Sequence, residues 1–199
     1  MRIGIFGGTF DPVHVGHLVA AVNARHSLGL DTVQLVVANE PWQKVGSRLV
    51  TPARDRLAVV EAAVADTVGI EASALEVERG GVSYTADTVA ALAAIHPGAE
   101  LFLIVGADVV EGLPTWERLE EVRDAVTLVV VNRPGTKEAE LGPGGPLAGW
   151  TAVSIEVPAL EISSTDLRER AATGRPLDYL VPGEAIRAIR ERGLYAVGR

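Results

Sequence analysis

A glycine-rich turn followed by two histidines lies near the N-terminus, where the chain reads GGTFDPVHVGH from Gly7 to His17. Glycines allow backbone N–H groups to come close to a phosphate, and a helix that begins here adds partial positive charge at its N-terminus. His14 and His17 are three residues apart, so they share one face of the first helical turn. The pattern predicts a phosphate-binding site, against the alternative of an ordinary strand-to-helix turn with two incidental histidines.

Two other interpretations of this stretch fit the residues less well. A zinc site would need a third ligand beside the two imidazoles, and Asp11 alone would complete it poorly. The dinucleotide-binding turn GxGxxG needs a third glycine, which is missing from its place. Asp11 itself is either a Mg²⁺ contact or a turn-forming residue before Pro12.

A second motif, ISSTDLR, runs from Ile162 to Arg168 near the end of the chain. Ser163 can cap a helix, with Asp166 three residues later in the place of the acidic partner of a capping box. The free N–H groups of that first turn, the hydroxyls of Ser164 and Thr165 and the Arg168 guanidinium could form a second anion site. A plain cap of a surface helix is the alternative. Together, the two motifs suit a polyphosphate that spans two helix N-termini.

The apolar pattern of the chain predicts strands that alternate with helices. The predicted strands are Arg2–Phe6, Thr32–Ala38, Leu75–Val77, Leu101–Val105, Thr127–Val131 and Thr151–Val157. The predicted helices are Gly16–Leu28, one that opens at Thr51-Pro52, Thr85–Ile95 and one around Trp116–Val122. Several strands are apolar on both faces, which is typical of a parallel sheet covered by helices on both sides. We therefore expect an α/β fold with a Rossmann-like doubly wound parallel sheet.

The pattern changes after Val157, where Ser163–Thr173 and Gly183–Arg192 predict two further helices. We expect a single domain, with a parallel-sheet core over residues 1–160 and a small C-terminal helical appendage over residues 161–199 that carries the second motif. The stretch Gly135–Gly149 contains GPGGP and predicts a surface loop.

Composition excludes several classes of protein. The 199 residues include no cysteine, which excludes a disulfide scaffold, a thiolate zinc site and a cysteine nucleophile. A net charge of −8 argues against a general nucleic-acid surface. No apolar run approaches the roughly 18–20 residues of a membrane span, and the N-terminus does not have the order of a signal peptide. We expect a cytoplasmic protein that binds neither nucleic acid nor membrane and that can form a homo-oligomer.

The two motifs together resemble those of nucleotidyltransferases that carry (H/T)xGH near the N-terminus and SSTxxR late in the chain. The resemblance is closest to the bacterial nicotinate-nucleotide adenylyltransferases, and it extends from Met1 to about Tyr195. Tyr84–Thr88 resembles the family's YTxDT, and Gly106–Asp108, with Trp116 eight residues after Asp108, resembles its GxD…W segment.

One segment departs from the family pattern. The loop that usually reads PPHK reads Pro41-Trp42-Gln43-Lys44 here, so the lysine is kept and Gln43 stands where the family has histidine.

The resemblance implies transfer of AMP from ATP to nicotinate mononucleotide, with Mg²⁺ accompanying ATP and with deamido-NAD and pyrophosphate as products. This chemistry needs no general base, because a phosphomonoester with a second pKa near ~6 is mostly dianionic at pH 7. Catalysis then consists of bringing two anions together and neutralising the charge that develops on the α-phosphorus and the leaving group.

The resemblance also implies a role for each matching residue. His14, His17, Lys44 and Arg168 would be catalytic. ATP would be bound by Gly7, Gly8, Thr9, Phe10, Gly16, Gly106, Asp108, Ser163, Ser164 and Thr165. The mononucleotide would be bound by Thr9, Asn39, Lys44, Tyr84, Thr85 and Trp116. No protein ligand for a metal is expected. Two of these residues have an alternative role: Asp108 could cap a helix, and Trp116 could be an ordinary aromatic residue of the core.

Other functions remain open at this point. A related nucleotidyltransferase could act on nicotinamide mononucleotide or phosphopantetheine, and a nucleotide-binding module could keep the phosphate site without turnover. A dinucleotide-dependent oxidoreductase fits poorly, because the glycine pattern is wrong. All nucleotidyltransferase interpretations require His17 and Arg168 to face one nucleotide.

Overall fold

The computed structural model describes residues 1–41, 50–132 and 147–196. Six strands lie in one sheet: β1 (Arg2–Gly8), β2 (Thr32–Val37), β3 (Ile70–Ser73), β4 (Glu100–Gly106), β5 (Thr127–Asn132) and β6 (Ala152–Glu156). The α-helices are α1 (Val15–Leu28), α2 (Ala53–Val64), α3 (Leu75–Arg79), α4 (Thr85–Ile95), α5 (Ala107–Val110), α6 (Leu119–Ala125), α7 (Ser164–Ala172) and α8 (Gly183–Glu191), with a short 3-10 turn over Leu113–Thr115.

All neighbouring strands are parallel, in the order β3-β2-β1-β4-β5-β6. The chain runs outward from β1 to β3 and then returns to pair β4 with the other side of β1. The prediction of a doubly wound parallel sheet is therefore confirmed. Ligands of such sheets bind where the strand order reverses, at the carboxyl ends of the two central strands. In this protein those are the ends of β1 and β4.

Two element predictions are wrong. The predicted strand Leu75–Val77 is part of helix α3, and the strand lies just before it, over Ile70–Ser73. A short apolar run cannot be assigned to strand or helix by periodicity alone, and LEVER consists mostly of good helix formers with acidic residues in the first turn. The helix expected around Trp116 begins later, at Leu119.

The sheet is buried on both faces. Along β4, Phe102 and Ile104 face one apolar cluster, whereas Leu103 and Val105 face a second. Side chains of successive strand residues point to opposite faces, so two clusters from one strand mean two covered faces. The first cluster includes residues of α1, α2, α7 and α8, and the second includes residues of α4 and α6.

The two C-terminal helices pack on the first face of the sheet. Leu167 of α7 and Ile186 of α8 are buried in the same cluster as Val59 of α2. The helical appendage is thus confirmed as part of the fold, whereas the expected boundary at residue 160 stays a prediction. The predicted surface loop Gly135–Gly149 lies outside the described residues up to position 146. No helix in the described part of the chain is long and apolar enough to cross a membrane.

Candidate active site

Three adjoining cavities open at the carboxyl ends of the central strands, and Phe6 and Gly106 line all three. The central cavity, of about 450 Å³, lies between the starts of α1 and α7. The β5-side cavity, of about 240 Å³, extends toward Val131. The β2-side cavity, of about 290 Å³, extends toward Ala38 and Trp116. The site is therefore one divided cleft at the position where doubly wound sheets bind ligands.

The central cavity brings the two sequence motifs together. His17 of the first motif and Ser164, Thr165 and Arg168 of the second line it, with Gly7, Gly8, Thr9, Phe10 and Asp11. The N-termini of α1 and α7 are consequently close enough for one ligand to meet both, which the hypothesis of a shared triphosphate requires. The role of each side chain toward that ligand stays a prediction.

The two histidines are held together at the start of α1. His14 is the N-cap residue, and its backbone N–H donates to Nδ1 of His17 at 3.2 Å. The two imidazole rings are stacked with their centroids 3.7 Å apart. Because Nδ1 of His17 accepts this bond, the neutral ring carries its proton on Nε2 and can donate from there.

Two aromatic rings fix the orientation of His17 further. Phe10 meets the imidazole edge-on at a centroid distance of 5.0 Å, and Phe6 lies 6.1 Å away. The ring of Phe10 also covers Gly8, where an added Cβ would lie 2.7 Å from it. Any side chain at position 8 would therefore have to displace the ring of Phe10.

The side chains at the start of α7 hold the first motif from the opposite side. Ser163 Oγ accepts from the N–H of Asp166 at 3.2 Å, so the predicted helix cap is present. Ser164 Oγ donates to the carbonyl of Pro12 at 2.9 Å, and Arg168 donates to the carbonyl of Asp11 at 2.7 Å. The second motif therefore also positions the backbone of the first, which sequence patterns alone did not show.

The carboxylate of Asp11 is buried beneath the central cavity. Its Oδ1 accepts from the hydroxyl of Tyr195 at 2.9 Å, and the Thr51 N–H approaches Oδ2 at 3.5 Å. Both carboxylate oxygens are thus approached by donors from distant parts of the chain, and the two roles weighed for Asp11, a Mg²⁺ contact or a turn-forming residue, stay predictions. Tyr195 is a residue that the sequence analysis missed, because nothing in its neighbourhood indicates a partner so far back in the chain.

Burial raises the pKa of Tyr195 well above its usual range, and the neighbouring charge of Asp11 adds to the effect. Because the folded pKa lies above the unfolded one, the buried, protonated Tyr195 stabilises the protein fully below pH ~10, and this contribution is lost as the pH rises further. We therefore expect the free energy of unfolding to fall above pH ~10, by up to about 1.4 kcal/mol per pH unit, and to fall less in Tyr195→Phe. Urea unfolding at a series of pH values measures this.

Tyr179→Phe is the matched control, because this tyrosine is 95% exposed. Its stability should follow the wild-type curve at every pH. Parallel curves for wild type and Tyr195→Phe would show that the ionisation of Tyr195 does not govern the alkaline loss.

The β5-side cavity is lined by His14, Gly16, His17 and Asp108, with apolar residues around them. A Cβ added at Gly16 would lie 3.1 Å from Nδ1 of His14, so a larger residue would press on that ring. Asp108 lies in the first turn of α5 and lines the central cavity as well. Gly106, not Asp108, is the N-cap residue of α5, so the alternative role of Asp108 as a cap is not observed.

The β2-side cavity contains three of the residues predicted to bind the mononucleotide, namely Thr9, Thr85 and Trp116. Thr85 is the first residue of α4, so its backbone N–H is at a helix N-terminus. Trp116 is half-buried and also packs against the second apolar cluster, which agrees with its alternative role as an ordinary aromatic residue of the core. Two buried polar residues that the sequence analysis missed, Glu76 and Thr88, line the same cavity, where the Thr88 hydroxyl donates to the Glu76 carboxylate.

Three predicted site residues, Asn39, Tyr84 and Ser163, are not among the residues that line these three cavities. Asn39 instead holds the neighbouring loop, since its backbone N–H donates to Ser83 Oγ and its amide to the Gly81 carbonyl. Tyr84 is the N-cap residue of α4. Lys44, with Gln43 beside it, lies outside the described residues.

The comparisons with known proteins agree with this geometry. Residues 5–170 match the cytidylyltransferase-like family model. A protein from Corynebacterium kroppenstedtii named "probable nicotinate-nucleotide adenylyltransferase" is 44% identical, over 98% of this chain and 90% of that protein. A protein of the same name from Saccharopolyspora erythraea is 42% identical, over 98% of this chain and 89% of its own.

A solved structure supports the same fold. The Plasmodium falciparum nicotinic acid mononucleotide adenylyltransferase complexed with NaAD superposes with a TM-score of 0.79 and 18% identity, covering 98% of this chain and 97% of that one. Together with the family match and the relatives above 40% identity, the resemblance stated from the motifs is confirmed. The chain belongs to the cytidylyltransferase-like family and, within it, to the nicotinate-nucleotide adenylyltransferases.

Proposed function

We propose that this chain transfers AMP from ATP to nicotinate mononucleotide and releases pyrophosphate, forming deamido-NAD. The observation that supports this most is the central cavity, which His17 and Arg168 line together although 151 positions separate them in the chain. The relatives above 40% identity carry the name of this activity, and the Plasmodium structure contains NaAD.

ATP would occupy the central and β5-side cavities. His17, with Nε2 as donor, would contact the α-phosphate, and His14 would support it from the stacked position. Ser164, Thr165 and Arg168 would hold the β- and γ-phosphates at the N-terminus of α7, where anions are stabilised. In the β5-side cavity the adenine would lie against the backbone at Gly16, and Asp108 would accept a hydrogen bond from a ribose hydroxyl.

The mononucleotide would occupy the β2-side cavity. Trp116 would stack on the pyridine ring, and backbone N–H groups at the start of α4 near Thr85 would donate to its carboxylate. The phosphate would be held by Thr9, which lines both this cavity and the central one. Lys44 belongs to this proposal through the motif alone.

This arrangement suits an in-line displacement. A phosphate oxygen of the mononucleotide attacks the α-phosphorus, a new P–O bond forms, and the bond to the β-phosphate oxygen breaks to release pyrophosphate. The attacking phosphate needs no base, so the side chains contribute orientation and positive charge. Donors from α1 and α7 would neutralise the charge that develops on the α-phosphate and the leaving group, respectively.

Mg²⁺ would enter with ATP as part of the substrate. Such ions keep several waters and are bound mainly through substrate phosphates with one or two carboxylates. Of the two carboxylates that line the central cavity, Asp11 already accepts from Tyr195, and Asp108 would be the one nearer to solvent. The cytoplasmic location, a homo-oligomeric state and the lack of nucleic-acid or membrane partners stay predictions.

The test is a pyrophosphate-release assay with ATP, Mg²⁺ and a panel of acceptors: nicotinate mononucleotide, nicotinamide mononucleotide and phosphopantetheine. We expect the highest kcat/KM with the acid mononucleotide. Preference for the amide would remove nicotinate from the proposal, and preference for phosphopantetheine would leave Thr85 and Trp116 without a role. No pyrophosphate with any acceptor would indicate a binding module instead.

A further inference from the structure

Arg56 of α2 is one of the most deeply buried side chains of the protein, with only 1% of its surface exposed. Its guanidinium donates to four backbone carbonyls. Nε bonds Thr51 at 2.7 Å, Nη1 bonds Thr9 at 2.6 Å, and Nη2 bonds Ala38 at 2.6 Å and Asn39 at 3.1 Å. A buried charge is tolerated only when it is well hydrogen-bonded, so these carbonyls must stay where the guanidinium holds them.

The carbonyls belong to the segments that follow two neighbouring strands. Thr9 follows β1 and lines both the central and the β2-side cavity, whereas Ala38 follows β2 and lines the β2-side cavity alone. A planar guanidinium has a fixed fork of donors, so bonds to both segments set the distance between them. The backbone N–H of Asn39 in turn donates to Ser83 Oγ, and Ser83 also lines the β2-side cavity.

We propose that Arg56 is a positioning residue that sets the mononucleotide site relative to the ATP site. The inference rests on the proposed function, because the two sites are the cavities assigned above. Arg56 touches neither substrate; it acts through Thr9 and Ala38. Rates of in-line attack depend steeply on the separation of the reacting atoms, and a displacement of ~1 Å can lower the rate by about 10²-fold.

The test is Arg56→Lys, which keeps the charge but loses the fork of donors. We expect kcat to fall by about 10²-fold and KM for nicotinate mononucleotide to rise, while KM for ATP stays within about threefold of wild type. Thermal unfolding of the same samples reports the folded fraction. Arg54→Lys, two positions away on the exposed side of α2, is the matched control and should behave as wild type.

A second variant covers the case in which Arg56→Lys does not fold. Arg56→Gln removes the charge, so that no buried charge is left without partners. As in Arg56→Lys, kcat should fall and KM for nicotinate mononucleotide should rise, while KM for ATP stays close to wild type. The inference would be overturned if kcat fell only in proportion to the folded fraction of the sample while both KM values stayed unchanged. If wild type itself releases no pyrophosphate with nicotinate mononucleotide, the proposed function fails; if wild type and Arg56→Lys turn over equally, the positioning role alone fails.

Discussion

His17→Ala is expected to lower kcat for pyrophosphate release by about 10³-fold, because removal of one preorganised donor to developing charge costs about 10²–10³ in comparable sites. The imidazole is held by the His14 N–H, by the stacked ring of His14 and by Phe10, so its Nε2 is already oriented before substrate binds. The fold should survive, since the substitution removes one hydrogen bond at the N-terminus of α1, worth about 1 kcal/mol, together with ring contacts at the wall of a cavity. Steady-state kinetics and thermal unfolding measure the two effects.

Two further variants separate the functions of the two ring nitrogens. His17→Gln places an amide donor near the position of Nε2 and should retain part of the activity. His17→Asn places an acceptor near the position of Nδ1, so it should keep the contact with the His14 N–H while losing the activity. His26→Ala, an exposed histidine on the same helix, is the control. Near-wild-type rates in His17→Ala would contradict the assignment of His17 to the α-phosphate.

Arg168→Ala should produce the second-largest loss, about 10²–10³-fold in kcat/KM for ATP. The guanidinium lines the central cavity and would hold the leaving pyrophosphate, while its bond to the Asp11 carbonyl orients it. Because the same bond also holds the first motif, we expect a small loss of stability as well. Arg168→Lys keeps the charge and should lie between wild type and Arg168→Ala, since an ammonium cannot make both bonds of the fork.

Arg170→Ala is the matched control for this experiment. Arg170 lies on the same helix, where it forms a half-buried i,i+4 ion pair with Asp166, and i,i+4 pairs on helices contribute about 0.3–0.5 kcal/mol. Its kinetics should equal those of wild type. If Arg168→Ala changed the free energy of unfolding but left kcat/KM for ATP unchanged, Arg168 would only tie α7 to the Asp11 carbonyl.

The features that could be predicted from the sequence are local in the chain. The inner strands are mostly apolar because both faces of the sheet are covered. In β2, for example, Val33 and Leu35 face the first cluster and Val36 faces the second. The two motifs could be assigned to helix starts because a capping side chain bonds a free N–H group of the first helical turn, and glycines let backbone N–H groups come close to an anion. The expectation that His17 and Arg168 share a site came from the chemistry of a polyphosphate and from the family resemblance.

The features that could not be predicted depend on contacts across long stretches of chain. The bonds of Arg56 go to carbonyls, which every residue has, so no sequence pattern indicates them. The same is true of Ser164 and Arg168, which bond the carbonyls of Pro12 and Asp11. The helix at Leu75–Arg79 was missed because an isolated short apolar segment takes its conformation from the surfaces it packs on.

The Asp11-Pro12 turn is bonded by three side chains from the end of the chain, those of Ser164, Arg168 and Tyr195. This order has a consequence for biosynthesis. These contacts join residues 152, 157 and 184 positions apart, so the turn leaves the ribosome long before its partners exist. At about 5–20 residues per second, the delay is on the order of ten seconds or more. A nascent chain would thus contain the glycine-rich segment before the residues that complete the nucleotide pocket have been synthesised.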